Sequence, residues 1–141
     1  LPDRLGVGGQ VSFVGTVSGE ELDRLYRAHD LLVLPSQYEG FGMVYLEAMG
    51  HGLPVIATSA GGAASIVRHG VNGFLCKPGS AAGVAEILRT LRGDEETLLR
   101  LSVEALESAR AHPCWEESFA EVEELLVQLG GERESYGLQL S

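Results

Sequence analysis

The stretch "QYEGFGMVYLE", Gln37 to Glu47, places two carboxylates around a glycine turn. Glu39 and Glu47 are separated by seven residues, and Gly40, Phe41, Gly42 and Met43 lie between them. A carboxylate accepts two hydrogen bonds side by side, which suits a vicinal diol. Glycine lets a backbone come close to a ligand, and a helix that starts just after it points N–H groups into the same space. That combination makes an anion site without a lysine. One carboxylate can take a ribose diol and the other sugar hydroxyls, with a diphosphate between them on the N–H groups. A nucleotide sugar has this order of diol, anion and diol. Each acidic residue also has an ordinary alternative. Glu39 near a helix start complements the helix dipole, an effect of about 0.3–1 kcal/mol, and Glu47 suits a solvated helix face. A second glycine pair, Gly61-Gly62, is by itself a common way to open a helix.

What separates the two readings is where the flanking elements put these turns. "LLVLPS" (Leu31 to Ser36) and "PVIATS" (Pro54 to Ser59) are continuously apolar, as strands buried on both faces are. "VSFVG" (Val11 to Gly15) and "NGFLCKP" (Asn72 to Pro78) read as further strands. Helical spacing joins Leu22, Leu25 and Tyr26, with Ser18 as the expected N-cap and Glu21 at the capping-box position. "GMVYLEAMGHG" reads as a helix stopped at Gly50 or Gly52, and "GGAASIVRHG" as a short helix. Ser80 opens another, Asp94 or Thr97 a longer one that Pro113 breaks, and a last helix is expected to end at Gly130-Gly131. Strand and helix alternate, which predicts an α/β fold: a Rossmann-like parallel sheet flanked by helices, with C-terminal helices after it. Ligands bind such sheets beyond the carboxyl ends of the strands. Gln37–Gly42 and Ala60–Gly62 both fall there. The predicted organisation is one domain over residues 1–130 and a disordered tail over 131–141.

Bulk properties narrow the class. The chain has 141 residues, enough for one domain, and 45% of them are apolar, enough for a core. A net charge of -10 argues against binding nucleic acid or anionic membranes through basic patches. Cys76 and Cys114 are far apart and near no paired histidines, so buried free thiols are expected rather than a zinc site or disulfide framework. His29, His51, His69 and His112 are scattered over different elements, and no metal site is expected. No apolar run approaches the ~20 residues of a membrane span. The expected location is cytoplasmic, with a membrane-peripheral position open to a longer protein.

The stretch "LPSQYEGFGMVYLEAMGHGLPVIATSAGG" resembles the donor-binding part of retaining glycosyltransferases with the two-domain GT-B fold, the large family 4 group. Their hallmark is a pair of glutamates at this spacing. The flanks "VSFVGTV" and "GVNGFLCKPG" and a tryptophan near the last helix, Trp115, also match, so the resemblance runs from about Val11 to Leu126. It implies the C-terminal domain of a GT-B fold. It further implies that Glu39 contacts hydroxyls of the donor sugar and stabilises charge on it, and that Glu47 holds the ribose hydroxyls. The backbone of Gly40, Phe41, Gly42 and Met43 would face sugar and phosphates, Gly61 and Gly62 would let their loop approach closely, and Val17 would touch the base through its backbone. The implied reaction moves a sugar from a donor such as a UDP- or GDP-hexose to an acceptor, with retention and without a metal or other cofactor. The acceptor could be a lipid carrier, a glycan or a small metabolite.

Two departures qualify the resemblance. The family commonly has a Pro-Glu pair after the glycines, where this chain has Ala64 and Ser65. In the family, two strands precede "VSFVG", and the earlier part supplies an Arg and a Lys for the diphosphate; the acceptor domain lies further upstream. The expectation is therefore a truncated donor domain whose full activity needs residues N-terminal to Leu1. The alternative is a non-catalytic nucleotide-sugar module that assembles with a separate acceptor domain; a phosphorylase-like or epimerase-like enzyme is a weaker third reading. Without those strands, "VSFVG" either pairs directly with "LLVLPS" or leaves apolar side chains and strand edges exposed. The isolated chain should then melt at low temperature or self-associate. A cooperative, monomeric thermal transition well above ambient would contradict this.

Overall fold

The computed structural model describes residues 2–113 and 115–135, without the side chains of 115–118 and 130–135. Three parallel strands form the sheet, in the order β1 (Leu32–Leu34), β2 (Val55–Thr58) and β3 (Gly73–Cys76). The register pairs Val33 with Ile56 and Ile56 with Phe74. Every residue of the central strand β2 is buried, as its unbroken apolar run requires. The helices are α1 (Glu20–Ala28), α2 (Met43–Gly50), α3 (Ala63–Ile66), α4 (Ala81–Leu91), α5 (Glu95–Arg110) and α6 (Trp115–Ser135). The core joins Tyr26 of α1, Tyr45, Ala48 and Met49 of α2, Val55 and Ala57 of β2, and Ala105 of α5.

Local chemistry explains several boundaries. Ser80 Oγ accepts from the Gly83 N–H at 3.1 Å, and Asp94 Oδ1 accepts from the Thr97 N–H at 3.0 Å, so both N-caps form, with Asp94 rather than Thr97 starting α5. After α2, the N–H of Leu53 reaches the Ala48 carbonyl at 3.0 Å and that of Gly52 reaches Met49 at 2.9 Å. This is a Schellman turn, and Gly52 takes the left-handed conformation it needs, at φ 78°. It returns the chain to β2 with four residues between helix and strand.

Three expectations are corrected. Residues 11–15 form no strand; Val11, Phe13 and Val14 are exposed, Phe13 to 84%. A strand is stable only when a neighbour takes its hydrogen bonds, and in the described sheet β1 pairs only with β2, so the sequence's β-propensity is left without a ladder. Second, Ser18 does not cap α1. Gly19 occupies the N-cap with no side-chain hydrogen bond, so the capping box is not made, and Glu20, Glu21 and Asp23 in the first turn complement the dipole instead. Third, α6 runs through Gly130 and Gly131 to Ser135. Glycine within a helix costs about 1 kcal/mol, which a 21-residue helix tolerates. Residues 136–141, the rest of the expected tail, lie outside the described residues, as does Cys114.

Asn72 fastens the periphery to the sheet. It is fully buried; its Oδ1 accepts from the Arg68 N–H at 2.7 Å, and its Nδ2 donates to the Ile66 carbonyl at 3.1 Å and to Ser108 Oγ at 3.0 Å. One side chain thus joins the end of α3, the turn into β3 and α5. Asn72→Ala should cost about 2–3 kcal/mol, because it leaves buried partners unpaired. The shift of a chemical-denaturation midpoint would measure it.

Candidate functional site

The turn after β1 and the turn after β2 meet at the carboxyl end of the sheet. Buried Thr58, the last residue of β2, donates its hydroxyl to the Ser36 carbonyl at 2.6 Å, tying the two strand ends together. The Gly62 N–H donates to the Glu39 carbonyl at 2.8 Å. The fit leaves no room for side chains. A Cβ on Gly61 would run into the Glu39 carbonyl, and one on Gly62 would lie 2.6 Å from the Gly40 oxygen and 3.1 Å from the Phe41 Cα. Gly61 also holds φ at 65°, a conformation that L side chains rarely adopt. The close approach predicted for this pair is thus made, in this structure, to the other turn.

That contact sets the start of α2. Gly42, at φ 89°, is the N-cap and offers no side-chain hydrogen bond to the first turn. A Cβ there would meet the Tyr45 ring at 2.8 Å and Ile66 Cδ1 at 3.2 Å. In the first turn of α2 the Tyr45 N–H donates back to the Gly42 carbonyl at 2.9 Å. This leaves the N–H groups of Met43 and Val44, with no acceptor one turn back along the helix, as an electropositive cradle at the helix start. Around Gly40 there is open space where a Cβ would stand. Phe41 is 61% exposed and meets the His112 ring edge-on at 6.4 Å, and Met43 is exposed.

The two carboxylates lean on different tyrosines. Glu39 is partly buried, and its charge lies near the phenol of Tyr45. Burial, and then Glu39, push the Tyr45 hydroxyl above its ordinary range, while a hydrogen bond with the Ser36 side chain pulls the other way. The hydroxyl therefore stays protonated at neutral pH and donates to the Leu34 carbonyl at 3.4 Å. Glu47 is exposed on α2, and its Oε2 accepts from the Tyr26 hydroxyl at 3.5 Å. Val17 lies, partly buried, in the coil between residues 11–15 and α1. The structure thus brings Glu39, Gly40, Phe41, Gly42, Gly61 and Gly62 together, puts Met43 and Glu47 on the helix they open, and leaves Val17 on the preceding coil.

Sequence reasoning missed the supporting residues Tyr26, Tyr45, Ser36 and Thr58. Tyr26 reads in sequence only as an apolar position of an amphipathic helix, and no spacing rule links it to a residue 21 positions later. Two surface cavities lie elsewhere, one of about 280 Å³ beside Tyr26, His51 and Ser102, the other of about 480 Å³ along β3 and α4. Neither is lined by Glu39 or Glu47. Among the described residues, no helix is long and apolar enough to cross a membrane.

Comparison with known proteins places this geometry. The profile of the family "glycosyl transferases group 1" matches residues 2–107. The chain belongs to this family. It is 39% identical over 144 aligned positions to D-inositol 3-phosphate glycosyltransferase of Salinispora arenicola, covering 100% of this chain and 31% of that protein. It is 43% identical over 98 residues to the sulfoquinovosyl transferase SQD2 of Arabidopsis thaliana, covering 67% of this chain and 19% of that one. The chain thus spans a third or less of these two relatives. Among solved structures, it superposes on HepE of Anabaena in complex with UDP and glucose with a TM-score of 0.80 and 34% identity, over 90% of this chain and 34% of that one. Sucrose-phosphate synthase of Thermosynechococcus elongatus gives a TM-score of 0.82 at 32% identity, over 93% and 33%. The three-stranded parallel sheet flanked by helices matches part of the C-terminal domain of GT-B glycosyltransferases.

Gly61→Ala tests the contact between the two turns. It should lose the Gly62–Glu39 hydrogen bond and lower stability by about 1–3 kcal/mol, from the left-handed backbone and the clash with the Glu39 carbonyl. Gly40→Ala, with open space around it, should lie within about 0.5 kcal/mol of wild type. Paired thermal melts would compare them.

Proposed function

We propose that this chain is the donor-binding part of a retaining glycosyltransferase of the GT-B family 4 type, which takes a hexosyl group from a nucleoside-diphosphate sugar. The observation that carries this reading is the uncapped start of α2, held open by Gly42 and by the Gly61-Gly62 turn, with Glu39 before it and Glu47 along it. The complexes of the neighbour HepE with UDP and glucose support a donor of this class.

In this reading, the N–H groups of Gly42, Met43 and Val44 at the start of α2 receive the diphosphate, and their partial positive charge stabilises the leaving group as the glycosidic bond to phosphate lengthens. Glu39, anchored through its own backbone carbonyl by Gly62, faces the sugar hydroxyls and the positive charge that builds on the anomeric carbon. Glu47 accepts from the two ribose hydroxyls. Both carboxylates must look onto one pocket for this to work. The backbone at Val17 borders the base. Amide dipoles at the helix start balance part of the diphosphate charge, and basic side chains from outside this chain the rest, without a metal or other cofactor. The acceptor, from a lipid carrier to a glycan or small metabolite, enters from an N-terminal domain outside this chain, and the protein works in the cytoplasm.

The division of labour is testable in the native gene product that carries this chain. Glu47→Ala should raise the Kd of the nucleoside diphosphate about tenfold or more. Glu39→Ala should leave that Kd within about twofold and lower kcat about a hundredfold. Calorimetry against UDP, GDP and ADP, paired with steady-state rates on the matching sugars, measures both. Equal losses for the two variants in both quantities would refute the assignment.

A further inference from the structure

The residue that fixes Glu47 comes from another element. Tyr26 belongs to α1, is 8% exposed, and aims its hydroxyl at Glu47 Oε2, 3.5 Å away. Its ring is itself held. His51, in the Schellman turn after α2, stacks on it with centroids 5.2 Å apart and planes 24° apart, and His51 Nε2 lies 3.3 Å from Asp23 Oδ1, one turn back along α1. Asp23, His51 and Tyr26 thus form a bracket between α1 and the end of α2, and its last atom touches the carboxylate of Glu47.

We infer that Tyr26 is a positioning residue for the nucleotide: its hydroxyl holds one oxygen of Glu47 so that the carboxylate meets the ribose diol already oriented. This rests on the assignment of Glu47 to the ribose. An exposed glutamate samples several rotamers, and selecting one costs entropy on binding. A hydrogen bond from a buried, stacked phenol, long at 3.5 Å, biases that choice toward one rotamer before the ligand arrives. A carboxylate has about four acceptor directions, so one bond from Tyr26 leaves enough for two hydroxyls. Burial first, and then the charge and hydrogen bond of Glu47, raise the Tyr26 hydroxyl above its usual range, so it remains a donor at neutral pH.

The test uses Tyr26→Phe, which removes the hydroxyl and keeps the ring on His51. In the native gene product, titration with whichever of UDP, GDP and ADP binds wild type is compared with its 2′,3′-dideoxy analogue. The expected result is a Kd about fivefold weaker for the natural nucleotide and unchanged within about 1.5-fold for the dideoxy form. Equal weakening of both ligands would show that Tyr26 only supports the fold, and no weakening of either would show that it does nothing for the site; each overturns the proposal. His51→Ala gives an independent arm if Tyr26→Phe does not fold. It should weaken the natural nucleotide about twofold and spare the dideoxy form, and the same loss on both would overturn the proposal. The donor reading is judged separately by Glu47→Ala. If that variant loses affinity for the natural nucleotide while Tyr26→Phe does not, the positioning role alone is wrong. If Glu47→Ala binds like wild type, the ribose assignment fails and this inference falls with it.

Discussion

A single backbone hydrogen bond, from the Gly62 N–H to the Glu39 carbonyl, holds the candidate site in shape. It exists because two turns approach until carbonyl oxygens occupy the volume where side chains would stand. It fixes the turn that carries Glu39, and the same turn delivers Gly42 to the N-cap of α2. If the two turns separated, the helix start would lose its direction and Glu39 its anchor. The contact between the turns is made by main chain alone, so holding it orders no side-chain rotamers.

The supports beneath that contact follow one logic. Thr58 donates to Ser36, Tyr45 to Leu34 and Tyr26 to Glu47, each from a side chain in or against the core to a group at the carboxyl end of the sheet or along α2. Buried hydroxyls need partners, and here the partners belong to the turns and to an acidic residue of the site. The packing that stabilises the core and the geometry that would meet a ligand are therefore the same contacts seen from two sides. Burial first, and then the neighbouring carboxylates, oppose ionisation of the two tyrosines, so both remain donors at neutral pH.

Much of this was legible in the chain. The unbroken apolar runs marked β1 and β2, and the glycines after them marked both turns; β2 is buried throughout, as such a run implies, whereas β1, at the edge of the described sheet, leaves Val33 exposed. Ser80 and Asp94 announced their helices through side chains that can satisfy a first-turn N–H. The failures are equally local. Val11–Gly15 has the composition of a strand, yet composition supplies no partner, and the segment lies exposed. Ser18 has the right type for a cap, but Gly19 takes the position, one residue nearer the helix. Gly130-Gly131 resembles a stop signal and is crossed by α6.

The sequence by itself determined which residues carry charge, which positions lack a side chain, and where apolar runs stop, since those are properties of residue type and spacing. From them came the parallel sheet, the paired turns and the candidacy of Glu39 and Glu47. Only the tertiary structure decided that Gly61 and Gly62 press against the Glu39 turn and that Tyr26 reaches Glu47 from another helix. Contacts between residues 21 or more positions apart depend on how helices dock over the sheet. Docking is set by the summed packing of the core, which no local pattern encodes.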